Sequence, residues 1–121
     1  MDILLDFDAT VCDHRFPQIG PDAPLAVETL KRLTAKGHRL ILFTMRSGDS
    51  LEAAVKWFEE RQIPLYGIQT NPEQATWTTS PKAFGHMIID DTCFNMPLIQ
   101  PPGFVRPCVD WSKIREYFLI K

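Results

Sequence analysis

Short apolar runs and stretches with helical spacing alternate along residues 2–90. Residues 2–7 (DILLDF), 38–44 (HRLILFT), 65–69 (LYGIQ) and 86–90 (HMIID) each carry consecutive apolar side chains, and each ends on a polar residue. That is the pattern of a strand buried on both faces that surfaces at the rim of a parallel sheet. Between the first two runs the spacing predicts a helix: Asp22 as cap, Pro24 in the first turn, Ala26, Leu30 and Leu33 on one face, and Gly37 closing it. A second helix is predicted where Leu51, Ala54, Val55 and Phe58 repeat at i, i+3, i+4 and i+7, ending before Pro64. Residues 70–79 read as a polar loop, and Ser80-Pro81 predicts a short helical turn with Lys82 at its beginning. Beyond Asp91 the chain is interrupted by Pro97, Pro101, Pro102 and Pro107, leaving room for a short edge strand around Phe104 and Val105. Asp110 then caps a last helix with Trp111, Ile114, Tyr117 and Phe118 on one face.

Strand and helix alternate, so the expected class is α/β: a Rossmann-like, mainly parallel sheet sandwiched by helices, with right-handed crossovers. At 121 residues and 45% hydrophobic content the chain fills one core, not two, so a single domain spanning 1–121 is expected. Sheets of this kind gather their ligands at the carboxyl ends of the strands.

Charge and composition narrow the function classes. A formal net charge of -2 without a dense Lys/Arg stretch argues against a nucleic-acid-binding surface. The apolar runs fall far short of the ~20 residues that span a bilayer, and residues 3–5 are cut by Asp6 before they resemble a leader, so a soluble cytoplasmic protein is expected. Cys12, Cys93 and Cys108 have neither disulfide nor zinc spacing and read as free thiols.

The chemistry-bearing residues cluster at strand ends: Asp6, Asp8 and Thr10 after the first, Thr44 after the second, Asp90 and Asp91 after the fourth, with Lys82 just ahead of that strand. Four carboxylates meeting at one rim repel one another unless a cation sits among them. Mg²⁺ is the expected ion, because it takes oxygen ligands and keeps positions for water and phosphate. Thr44 offers a hydroxyl donor to a phosphoryl oxygen. Arg46 either grips a substrate anion or pairs with Asp49 or Glu52. His14 and Arg15 lie in the loop after the first strand, within reach of a substrate, and Trp77 either lines the mouth of the site or packs.

These residues resemble the motifs of the haloacid dehalogenase superfamily. Asp6-Phe7-Asp8-Ala9-Thr10 resembles its first motif, D-x-D-x-[TV]; Thr44 resembles the second, Lys82 the third and Asp90-Asp91 the acidic fourth, in the correct order over residues 2–91. The resemblance implies a Mg²⁺-dependent phosphohydrolase, a phosphomonoesterase in which Asp6 becomes phosphorylated and Asp8 acts as acid and base. Thr44 and Lys82 would hold the transferring group and Thr10 and Arg46 the substrate, with metal ligands from Asp6, the Asp8 carbonyl, Asp90 and Asp91. Ala9 departs from the commoner glycine, at a position where the backbone is expected to need a positive φ. Alternatives in other classes are a phosphotransferase or mutase of the same superfamily, a non-catalytic phosphate-binding domain, and a receiver-like signalling domain. The receiver places its phosphoacceptor Asp after strand three, where this chain has none.

No cap domain is expected. Only residues 11–21 separate Thr10 from the helix signal at Asp22, and residues 45–81 are used by a helix, a strand and a loop. Phosphoryl transfer benefits from excluding water, so a large phosphorylated substrate or a homo-oligomer is the favoured source of cover.

Overall fold

The computed structural model describes residues 1–121. Its centre is a four-stranded, all-parallel sheet of β1 (Asp2–Leu5), β4 (Arg39–Leu42), β5 (Gly67–Ile68) and β6 (Met87–Ile89), in the order β5-β4-β1-β6. These are the four apolar runs, each shortened so that its polar end lies beyond the ladder. Between β1 and β4 the chain makes a hairpin, β2 (Cys12–Arg15) with β3 (Gln18–Asp22), then α1 (Ala26–Ala35). α2 (Gly48–Glu60) links β4 to β5, and a short pair, β7 (Leu98–Ile99) with β8 (Cys108–Val109), precedes α3 (Trp111–Tyr117). The chain is thus a small single-domain α/β protein, and no helix in it is long and apolar enough to cross a membrane.

The sheet is not sandwiched by helices as expected. Ile3 and Leu5 share a core with Leu30 and Leu33 of α1, Ala54, Trp57 and Phe58 of α2, and Trp111 and Ile114 of α3, so all three helices cover one face. Leu4 and Ile41, pointing the other way, form a much smaller buried cluster with Ala83, on which Tyr66 packs. Crossover handedness explains the asymmetry. The steps β1 to β4 and β4 to β5 run in one direction, so right-handed connections put α1 and α2 on the same side. The return from β5 to β6 must pass over the opposite face, and that segment holds only a 3-10 turn at Gln74–Thr76.

Local chemistry accounts for the element ends. α1 closes with a Schellman pattern, the N–H groups of Gly37 (φ 93) and His38 donating to the carbonyls of Thr34 and Leu33. Its start is not capped by Asp22. That residue ends β3, and its carboxylate accepts from Trp57 Nε1 at 3.1 Å and from Arg61 Nη2 at 2.9 Å. Asp110 does cap α3, accepting from Ser112 N at 3.0 Å. Ser80-Pro81 starts no helical turn; Pro81 and Lys82 form a bend, the Ser80 hydroxyl accepting from Lys82 N at 3.2 Å. Phe104 and Val105 form no edge strand, because the Val105 N–H is taken by Asp13 Oδ2 at 2.8 Å and neighbouring prolines supply no ladder donors. The hairpin of β2 and β3 has no counterpart in the sequence reading.

Candidate active site

The strand ends converge as the topology requires. A cleft of 370 Å³ at the carboxyl rim is lined by Asp6, Asp8, Thr44, Arg46, Asp90 and Asp91, together with His14, Phe16, Met45, Thr92 and Arg106. Carboxylate oxygens of Asp6, Asp90 and Asp91 lie within 4.8 Å of one another. Asp6 sits just beyond β1, held by its own N–H on Ile89 O at 3.0 Å, and Asp90 and Asp91 sit just beyond β6. The loop between Asp6 and β2 is pinned from several sides: Thr10 and Val11 N–H groups donate back to Phe7 O, Trp111 Nε1 donates to Thr10 O at 2.8 Å, and Val109 N donates to Ala9 O at 3.2 Å. Ala9 has φ 60, the left-handed backbone expected there, in a position buried to 1% exposure where a small side chain fits.

Burial first, and then the charge of Asp90, push the Asp6 carboxyl up to about 8, against the Thr10 hydroxyl and the Phe7 N–H that stabilise its anion. Burial likewise raises Asp91, with the Asp90 charge acting in the same direction. A set of hard oxygen donors this close, two of them, Asp6 and Asp91, resisting ionisation, fits a divalent cation such as Mg²⁺. Such an ion would be held by Asp6, Asp90 and Asp91. A stability consequence follows. The folded state keeps an Asp6 proton that the unfolded chain releases near 3.8, so without metal the fold loses stability as pH rises from there through about 8. Mg²⁺ is therefore expected to raise the melting temperature more at about pH 9 than at about pH 5. Thermal melts with and without Mg²⁺ at both values check this, and no shift at either would contradict a cation site here.

Several predicted residues take different roles from those expected. Arg46 is not available to a substrate, nor does it pair with Asp49 or Glu52. It is 2% exposed, and its guanidinium donates to both oxygens of Asp8, at 2.8 Å each, and to the carbonyls of Pro17, Gln18 and Ser50 at 3.0–3.2 Å. It thereby ties the hairpin turn to the rim and fixes the Asp8 side chain. Thr10 is fully buried and holds Asp6 rather than a substrate, its hydroxyl donating to Asp6 Oδ2 at 2.8 Å and accepting from Asp91 N at 3.2 Å. Lys82 is not among the residues of the cleft. It is exposed in a separate groove on the helix-free face, with Leu4, Trp77, Phe84 and Ile88, because the bend at Pro81 and Lys82 lies over that face instead of at the strand ends. Trp77 packs edge-on against Phe84 there, 5.6 Å between centroids, and plays no part in the cleft mouth.

Thr44 stands where expected. Its N–H donates to Gln69 Oε1 at 2.9 Å, its carbonyl accepts from Gln69 Nε2, and its hydroxyl accepts from Arg46 N at 3.1 Å, leaving the hydroxyl proton free for a ligand. Gln69, at φ 65 beyond β5, is thus a positioning residue that the sequence reading missed; a polar residue at a strand end was its only signal. Arg106 was also missed, since it comes from a proline-rich stretch without periodicity. None of the three cysteines lines the cleft. Burial pushes the Cys12 thiol up to about 12 and the Cys108 thiol up to about 11.

The fold and site define a single-domain α/β protein with an acidic cleft at the carboxyl edge of a parallel sheet. A solved structure of a conserved protein from Bacteroides thetaiotaomicron is similar over 98% of this chain and 89% of that one, at 34% identity and a TM-score of 0.78. The chain belongs to the family of that Bacteroides protein. No protein-family model matches the chain, and no curated protein matches it.

Proposed function

We propose that the protein is a Mg²⁺-dependent phosphomonoesterase of the haloacid dehalogenase type that works through an aspartyl-phosphate on Asp6. The observation that carries this reading is the meeting of Asp6, Asp90 and Asp91 oxygens within 4.8 Å, in a cleft that also presents Asp8 and Thr44. Bound Mg²⁺ supplies charge neutralisation among the acids and on the phosphoryl oxygens.

The chain's own groups perform the two steps. An Asp6 carboxylate oxygen attacks phosphorus, the bond to the leaving oxygen breaks, and Asp8 donates a proton to the departing alkoxide. Asp8 then takes a proton from water, the water oxygen attacks phosphorus, and the bond to Asp6 breaks to release inorganic phosphate. Taking up a proton requires Arg46 to release one of the two Asp8 oxygens it now holds. Thr10 keeps the Asp6 carboxylate aimed, and Thr44 donates its hydroxyl to a phosphoryl oxygen. Lys82 has no part in this scheme.

A panel of phosphate monoesters incubated with the purified protein tests it. Inorganic phosphate is expected to appear with Mg²⁺ and to stop on chelation. Release that ignores the metal, or none across sugar, nucleotide, lipid and protein phosphates, would sink the reading.

A further inference from the structure

We propose that Arg106 and His14 form an anion-binding edge of the cleft that holds the aspartates, so that the preferred substrates are phosphate monoesters whose leaving group carries a second anionic group. This rests on the phosphomonoesterase reading and names the substrate class for that site.

The charge inventory of the cleft is the starting point. It is lined by the acids Asp6, Asp8, Asp90 and Asp91 and by three residues that can carry positive charge: Arg46, Arg106 and His14. Arg46 is used up, with Asp8 and three carbonyls accepting from it. The Arg106 guanidinium and the His14 ring have no hydrogen-bond or ion-pair partner in the protein. Arg106 therefore faces the same cleft as four carboxylates and pairs with none of them. In the proposed reaction Asp6, Thr44 and a bound cation already serve the transferring phosphoryl, so the anion left for Arg106 is a second one on the substrate.

The placement of these two residues is built. Asp13, fully buried, lies next to His14 on β2 and accepts from Val105 N at 2.8 Å, Arg106 N at 3.2 Å and Arg15 Nε at 3.0 Å. Arg15 Nη2 reaches on to Gly103 O at 3.0 Å. Burial pushes the Asp13 carboxyl up, but the two backbone N–H groups and Arg15 outweigh it and hold it below the usual carboxylate range. A buried carboxylate is costly unless fully satisfied. Here it locks the hairpin to the loop before β8, and so holds together the two segments that bring His14 and Arg106 to the cleft. An unpaired guanidinium held by its backbone over a 370 Å³ cleft is suited to a carboxylate or phosphate, which it can take bidentately.

Binding without turnover tests the inference. With Mg²⁺ present, methylphosphonate, phosphonoacetate and 3-phosphonopropionate are titrated calorimetrically into the wild type, Arg106→Gln and His14→Asn. One of the two-anion probes is expected to bind about tenfold or more tighter than methylphosphonate, as one charge-assisted hydrogen-bonded pair provides. In Arg106→Gln that ratio should collapse toward one, and in His14→Asn it should fall. The Asp13 anchor is unaffected, since it uses the Arg106 backbone N–H. Equal wild-type affinity for all three probes would overturn the second-anion rim and leave the phosphomonoesterase reading standing. So would an unchanged ratio in Arg106→Gln. If no phosphonate binds at all, both readings fall.

Discussion

Asp6→Asn is expected to lower Mg²⁺-dependent phosphate release by on the order of 10³- to 10⁶-fold, as loss of a covalent nucleophile does. The amide keeps the shape of the carboxylate and can still accept the Thr10 hydroxyl, but it is a far poorer nucleophile. The same variant is expected to melt higher than the wild type in metal-free buffer above about pH 8. It removes a buried charge that burial and Asp90 disfavour. Turnover assays and thermal melts on one preparation read both effects. Retained turnover would exclude the covalent route. Lost turnover together with lost stability would mark Asp6 as a structural residue rather than a strained functional one.

Arg46→Met is expected to cost about 3–5 kcal/mol of folding stability, the range for removing one partner of a buried ion pair. Arg46 and Asp8 have side-chain exposures of 1% and 14%, so little solvent is at hand to replace the lost partner. The substitution also strips donors from Pro17, Gln18 and Ser50 carbonyls, which frees the hairpin turn. Adding Asp8→Asn to Arg46→Met is expected to recover part of the loss, because the stranded charge goes with it. Urea unfolding of the two single variants and the double variant measures the coupling. An unchanged midpoint in Arg46→Met would show that the pair contributes nothing.

The two expectations rest on different parts of the sequence. Asp6 was readable because a buried strand announces itself by composition, and a carboxylate placed where the strand ends must lie at the rim. Thr44, Asp90 and Asp91 were readable for the same reason, and all of them line one cleft. Arg46 was seen as a cation near the rim, but its partner was sought among helix neighbours. Asp8, thirty-eight positions away, is adjacent only because β1 and β4 pair in register.

Apolar periodicity determined the strands, the helices and the strand-end carboxylates, because burial of a strand or a helix face is a local property of residues one, two, three or four apart. What each polar side chain then touches is not local. The tertiary structure alone decided that Arg46 belongs to Asp8, that Thr10 serves Asp6, and that Asp13 brings Arg106 to the cleft. It also decided that Lys82 faces the helix-free side of the sheet. A hydrogen bond asks only for a donor and an acceptor within about 3 Å, and any polar residue qualifies until the packed core has set which segments meet.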